Sequence, residues 1–231
     1  MVIPCIDLME GRVVQLVQGR EKKLEIPDPL GVLERFADYD QIQVIDLDAA
    51  IGGPNASRNA AIVRSLCARK PCRVGGGIRS VERAVEVVKD GARKVIVGSS
   101  AFTPEGVNHV LLRTIADALP RERLMIAVDS FGGHVAIHGW RTVLPLAPTA
   151  ALPQLEPYCS EFLCTYIDAE GKLEGTSIDW FRELRAATSL PITAAGGITT
   201  DEEIAALGAL GMHAALGMGI YRRVFPELFA T

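Results

Sequence analysis

Val74-Gly-Gly-Gly-Ile-Arg79 returns 120 residues later as Ala194-Ala-Gly-Gly-Ile-Thr199. Each copy is a short apolar run that ends in small residues and leads into a segment with a helix-capping start, Ser80 in one and Thr200 in the other. Other pairs keep the same order. Val97-Gly-Ser-Ser-Ala-Phe102 matches Leu216-Gly-Met-Gly-Ile-Tyr221 at an offset of 119, and Pro4-Cys-Ile-Asp7 matches Ile126-Ala-Val-Asp129 at 122. Val44-Ile-Asp46 is paired with Tyr166-Ile-Asp168, again at 122. Four ordered correspondences at nearly one offset read as a duplicated half.

Outward from these motifs, β-branched runs alternate with longer stretches of helical period. The runs are Val2–Ile6, Gln41–Ile45, Cys72–Val74, Lys94–Val97, Leu124–Val128, Glu161–Cys164, Pro191–Ala194 and Ala214–Leu216. Helices are expected near 29–39, 55–69, 80–90, 105–118, 149–158, 178–188, 200–210 and 222–229, with Thr103-Pro104-Glu105 as one of the caps. Eight strand–helix units fit either an α/β (β/α)8 TIM barrel or a doubly wound open sheet. Two like halves that close on each other favour the barrel. No Pro/Gly/Ser-rich linker divides the chain, so residues 1–231 read as one barrel domain with half-barrel repeats at about 1–120 and 121–231.

Composition narrows the function classes. The 231 residues carry 24 basic and 28 acidic side chains, a net charge of −4 that argues against nucleic acid as a partner. No apolar run approaches the ~18–20 residues of a membrane span, and the first residues lack the basic start of a signal peptide. Five cysteines without C-x-x-C spacing point to reduced, mostly buried thiols and a cytoplasmic setting. His134 and His138 lie four apart in an alternating, strand-like stretch, which does not chelate, so no metal is implied.

The repeated features suggest chemistry. Glycines at the end of a strand before a helix free backbone N–H groups to meet an anion. Gly77 with Ser99 and Ser100 would form one such site, and Gly197 with Gly217 and Gly219 its mate across the barrel, which predicts a small-molecule ligand with two phosphates. Asp7 and Asp129, at the ends of strands one and five, would face each other at the mouth, where a base and an acid could share one substrate. Asp46, ending strand two, would orient ligand hydroxyls or fix a loop. Thr165 offers a hydroxyl between the two phosphate sites.

Ile-Asp7-Leu-x-x-Gly-x-Val-Val-x-Leu-x-Gln-Gly19, Val44-Ile-Asp-Leu-Asp48, Gly75-Gly-Gly-Ile-Arg-Ser80, Asp129 with Gly139-Trp140, and Ala195-Gly-Gly-Ile198 together resemble the ProFAR isomerase family of histidine biosynthesis, nearly end to end. The cyclase subunit of imidazole glycerol phosphate synthase shares both aspartates and the half-barrel repeat. Gln18-Gly19, the Leu-Asp-Ala-Ala run at 47–50 and Trp140 are more similar to the isomerases. The resemblance implies an Amadori rearrangement of an aminoaldose to an aminoketose without a cofactor. It implies Asp7 as base, Asp129 as acid or its supporting carboxylate, Thr165 as a partner of the opening sugar and Trp140 as a stacking surface. Arg79 and Gly175 join the substrate-binding set. Residues 18–26, with Arg20, Lys22 and Lys23, would close as a lid.

Two departures stand out. Glu170-Gly171-Lys172 occupies the place of the Asp-Gly-Thr usual in the resembled family, so the carboxylate at Glu170, a further acid candidate, reaches about one C–C bond, ~1.5 Å, further. Met218 stands where a basic residue is common. Two other functions remain open at this level: a bifunctional isomerase that also uses phosphoribosyl anthranilate, and a non-catalytic barrel that binds a bisphosphate ligand. A monomer is expected.

Overall fold

Each of the eight apolar runs becomes a strand in the computed structural model of the chain, which describes residues 1–17, 21–53, 55–171 and 175–229. They are β1 (Val2–Met9), β2 (Ile42–Asp46), β3 (Cys72–Gly75), β4 (Lys94–Val97), β5 (Leu124–Phe131), β6 (Glu161–Tyr166), β7 (Ile192–Ala195) and β8 (His213–Leu216). Every neighbouring pair is parallel, from β1 against β2 round to β8 against β1. The β4–β5 pairing, with Val97 opposite Ile126, joins the two halves and leaves no open edge. This is a single (β/α)8 barrel, and the open-sheet alternative falls away.

Strand alternation sorts the side chains. Cys5, Ile96, Met125, Ala127, Leu163 and Ala215 fill the barrel interior, while Ile6, Leu8, Val44, Val74, Ile126 and Cys164 face the helices in a larger outer core. At the N-terminal floor of the interior, buried Arg73 pairs with Glu161 at 2.8 Å and donates to Thr193 at 2.7 Å. Lys94 reaches the same Glu161 at 2.8 Å. Residues from both halves of the chain thus satisfy one another's charge where an apolar filling would otherwise be expected.

Gly76 and Gly196 carry φ of +105° and +95°. A Cβ at Gly76 would lie 2.1 Å from the Asp46 carbonyl oxygen, and one at Gly196 would lie 2.3 Å from that of Tyr166. These two glycines let the ends of β3 and β7 pass against the strand before them, so their recurrence has a steric cause. The contacts also correct one sequence pairing: Asp46 corresponds in space to Tyr166, which makes Asp48, not Asp46, the counterpart of Asp168. Asp48 Oδ2 accepts from Glu10 N at 2.7 Å, and Asp168 Oδ2 accepts from Gly132 N at 3.1 Å.

Several element bounds differ from the sequence reading for local reasons. Two strands that the sequence reading did not include precede the first helix: Arg12–Val17 pairs antiparallel with β1, and Glu21–Ile26, within the expected lid, pairs with Arg12–Val17. The turn Glu10-Gly11 has φ of 53° and 78°, and Gly132-Gly133 has 58° and 81°, so both β1 and β5 extend into tight hairpins. The second hairpin ends at Ile137, and His138 turns off it at φ 56°. The helix expected from 105 is His109–Ala118, capped by Asn108 through Leu111 N at 3.2 Å, because Phe102–Thr103 and Gly106–Val107 pair as a small ribbon. The one expected at 55–69 is Ala60–Cys67, since Asn59 is drawn into the core. The last helix is Met218–Val224, ahead of the expected 222–229, and Pro226, which has no N–H to donate, opens a separate 3-10 turn. Among the described residues no helix is long and apolar enough to cross a membrane.

Candidate active site

Asp7 and Asp129 are each the sixth residue of an eight-residue strand, with the inward parity of Cys5 and Ala127. They stand at the C-terminal mouth, where the strands end and the longer loops begin. Thr165, on β6, lies directly opposite Asp129 in the strand register. After β6 a short 3-10 turn, Ile167–Ala169, carries the chain to Glu170, whose N–H donates to Ile167 O at 2.9 Å. There the Glu170 carboxyl lies close enough to both aspartates for their charges to act on it.

The electrostatics follow from this convergence. Burial pushes the Asp7 carboxyl up to about 7. Burial, reinforced by the negative charges of Asp7 and Asp129, pushes Glu170 up to about 7 as well, against a hydrogen bond from the Gly197 backbone. Burial also raises Asp129, but hydrogen bonds from Trp140 and Thr165 favour its anion. Three carboxyl groups therefore share one site with unequal environments, the arrangement that separates an acid from a base.

Beside Glu170 a small cavity is lined by Gly196, Gly197, Gly217, Met218 and Gly219. The glycines expected to hold an anion in the second half thus meet the carboxylate expected to do chemistry. Gly175 lies next to them. Thr176 N donates to Glu203 Oε1 at 2.5 Å, while Thr199 N and Thr200 N donate to its Oε2 at 2.8 and 3.0 Å. One carboxylate on the outer helix Asp201–Ala209 therefore ties both glycine-bearing loops together. In the first half Ser99 and Ser100 follow β4 beside the loop of Gly77, and their hydroxyls are engaged. Ser99 Oγ accepts from His138 N at 2.8 Å, and Ser100 Oγ donates to Ile78 O.

Some expected site residues stand elsewhere. Ile45 is the inward residue of β2, so Asp46 points outward. It is buried, caps the helix Leu47–Ile51 through Ala49 N at 3.1 Å and accepts from Asn59 Nδ2 at 2.7 Å. It fixes a loop and does not face the mouth. The Arg79 guanidinium is spent on the carbonyls of Ala49 and Ala50. Lys22 and Lys23 sit on the paired strand Glu21–Ile26, bonded to Glu25 and Glu21, which is not the free lid expected. Arg20 lies outside the described residues.

Two buried amides were missed. Asn59 donates to both Asp46 and Asp48, the latter at 3.0 Å, and accepts from Gly11 N at 2.9 Å. Gln15 brings its Nε2 to 3.5 Å from Asp7 Oδ2, and its Oε1 lies 2.7 Å from where a Cβ on Gly217 would stand. The signal for Gln15 was a lone polar residue inside the apolar run Val13, Val14, Leu16 and Val17, shortly after the Glu10-Gly11 turn.

Comparison with known proteins places the chain in a family. The family model described as histidine biosynthesis protein matches residues 1–225. The chain belongs to the histidine biosynthesis protein family. A member of this family from Methanocaldococcus jannaschii is 33% identical over 229 residues, 96% of this chain and 94% of its own. One from Synechococcus sp. (strain JA-3-3Ab) is 36% identical over 229 residues, 95% of this chain and 85% of its own. Both are named 1-(5-phosphoribosyl)-5-((5-phosphoribosylamino)methylideneamino) imidazole-4-carboxamide isomerase. A third with that name, from Methanothermobacter thermautotrophicus, is 32% identical over 230 residues, 96% of this chain and 93% of its own.

Proposed function

We propose that the chain is the aldose–ketose isomerase of this family, converting the ProFAR aminoaldose to its aminoketose. The observation that carries the reading is the meeting of the Asp7 and Glu170 carboxyls at the barrel mouth, a pair whose protonated forms burial favours. An Amadori rearrangement asks for that pair. An acid protonates the ring oxygen so that the C1–O bond opens to an iminium. A base then removes the proton from C2 to give an enaminol, and protonation at C1 with loss of the C2 hydroxyl proton leaves the ketone.

Asp7 acts as the base in this reading. Glu170 is the better acid, because the negative charges around it favour its protonated form, while Trp140 and Thr165 favour the anion of Asp129. Asp129 then stabilises the positive charge of the iminium, Thr165 holds the opening sugar, and Trp140 offers its ring to the imidazole. The relatives' name contains two phosphoribosyl groups, which supports two phosphate sites. Gly77, Ser99 and Ser100 would form one, and Gly175, Gly197, Gly217 and Gly219 the other. A cytoplasmic monomer completes the reading.

Steady-state turnover of the purified chain with the ProFAR aminoaldose tests it. Conversion to the aminoketose is expected, together with much weaker binding of analogues that lack either phosphate. Binding without turnover would overturn the catalytic assignment, and indifference to one phosphate would remove one of the two sites.

A further inference from the structure

The opposite end of the barrel carries a second concavity, of about 400 Å³, formed by the turns that precede β3, β4 and β5. Arg69, Lys70, Arg93 and Arg123 line it beside Cys67, and among the described residues no carboxylate does. In a chain of net charge −4 this concentration of cations is against the overall balance.

Their partners leave most of the charge uncompensated. Among the described residues only Arg69 has a carboxylate within reach, Glu34 at 4.0 Å, with both side chains more than half exposed. Lys70 donates to the carbonyls of Phe36, Ala37 and Tyr39, which accept its protons without neutralising it. Arg123 donates Nη2 to Ala92 O at 2.8 Å, while its Nε is buried with no partner. Asp90, beside the Gly91 turn, lies 3.6 Å from Arg64, and its charge also reaches Cys67. Arg93 is exposed and makes no ion pair among the described residues. Like charges held together this way raise the local positive potential, and guanidinium groups match phosphate oxygens in geometry as well as charge.

We propose that this concavity is a binding site for a small oligophosphate of the pyrophosphate class, bridged by Arg93 and Arg123 with Arg69 at its rim, while Lys70, its protons taken by carbonyls, adds only its charge. Four cations from three turns suit a ligand with several negative charges. The concavity is shallow and open to solvent, which suits a compact ligand held by charge and not by enclosure. The site lies at the far end of the barrel from the mouth and does not depend on the function proposed above.

Cys67 supplies a local probe, since the other four cysteines are buried and this one is half-exposed on the cavity wall. Its alkylation by iodoacetate, an anion, and by iodoacetamide, which is neutral, can be followed by peptide mass spectrometry on the full chain. Millimolar pyrophosphate is expected to lower the iodoacetate-to-iodoacetamide rate ratio severalfold, beyond the effect of sodium chloride at matched ionic strength. Arg123→Gln and the surface change Arg93→Glu should each lower the ratio without pyrophosphate and blunt the response to it. Arg93→Glu touches no buried partner, so the test survives a misfolded Arg123 variant. A ratio that pyrophosphate moves no more than sodium chloride does, or a full response persisting in Arg93→Glu, would overturn the site.

Discussion

Trp140 donates its indole Nε1 to Asp129 Oδ2 at 2.7 Å from a backbone held at φ +65°. It is the third consecutive left-handed residue, after His138 at 56° and Gly139 at 63°. A side chain in that region costs roughly 1–2 kcal/mol. The turn is closed by Arg141 N on Ile137 O at 3.1 Å and tethered by His138 N on Ser99 Oγ at 2.8 Å. Strain kept at this point places an aromatic ring and a proton donor over one carboxylate.

Trp140→Phe keeps a ring but removes the donor. Asp129 then loses one of the two bonds that favour its anion, so its pKa rises further. The low-pH limb of the kcat profile should move to higher pH. A profile recorded across the neutral range reads the shift, and an unmoved limb would mean that the indole bond is not felt during turnover.

Glu170→Gln preserves size and removes the proton donor. We expect kcat to fall by about 10²–10⁴ with little change in KM, the pattern of a group that acts in the transition state. Glu170→Asp should recover part of the loss. An unchanged kcat in the Gln variant would pass the acid role to Asp129.

Asp7→Asn should stabilise the fold at neutral and alkaline pH. The folded-state pKa of Asp7 is about 7 against an ordinary 3.8, so the native state holds the proton more tightly than the unfolded chain. Stability therefore declines as pH rises through that window. The amide variant is free of this effect. Its Tm advantage should grow from acid to neutral pH, by roughly 2–4 °C for each kcal/mol recovered in a domain of this size. Melting curves at several pH values check it, and a constant gap would contradict the raised pKa.

Arg73→Met strips Glu161 of its buried partner while leaving Lys94. Breaking such a pair from one side costs about 3–5 kcal/mol, because a charge is left uncompensated. Urea unfolding should show a lower midpoint with an unchanged slope. Adding Glu161→Gln should restore much of the loss, which a merely steric effect of Met would not allow.

The barrel was legible in the sequence because its causes are local and repeated. Gly76 and Gly196 recur since the same strand crossing excludes a Cβ twice, and apolar runs recur since every strand is buried on both faces. Asp7 and Asp129 could be found for the same reason. Asp46 could be read either as a ligand contact or as a loop anchor, because one residue of strand parity separates the mouth from the outer core and adjacent residues give no sign of which side is inward; the structure shows the loop anchor. The alternation at His134–Ile137 reads as a strand in the sequence, whereas Arg12–Val17 was not read as one, although Glu10-Gly11 carried the turn signal for its hairpin. Partners as distant in sequence as Gln15 and Gly217, or Glu203 and Thr176, leave no local pattern, because only closure of the ring brings them together.

The charge cluster on the barrel floor bears on how the molecule comes apart. Arg73 and Lys94 belong to the first half, Glu161 and Thr193 to the second, and the ladder between Val97 and Ile126 joins them. A chain cut between Leu119 and Leu124 would leave two cations in one fragment and their anion in the other, with Arg73 and Glu161 almost wholly buried and without an opposite charge. Neither fragment would tolerate its own company for long, and each would carry the counter-charge the other needs. Mixed from denaturant, the two pieces should find one another, with the floor of the barrel acting as the latch.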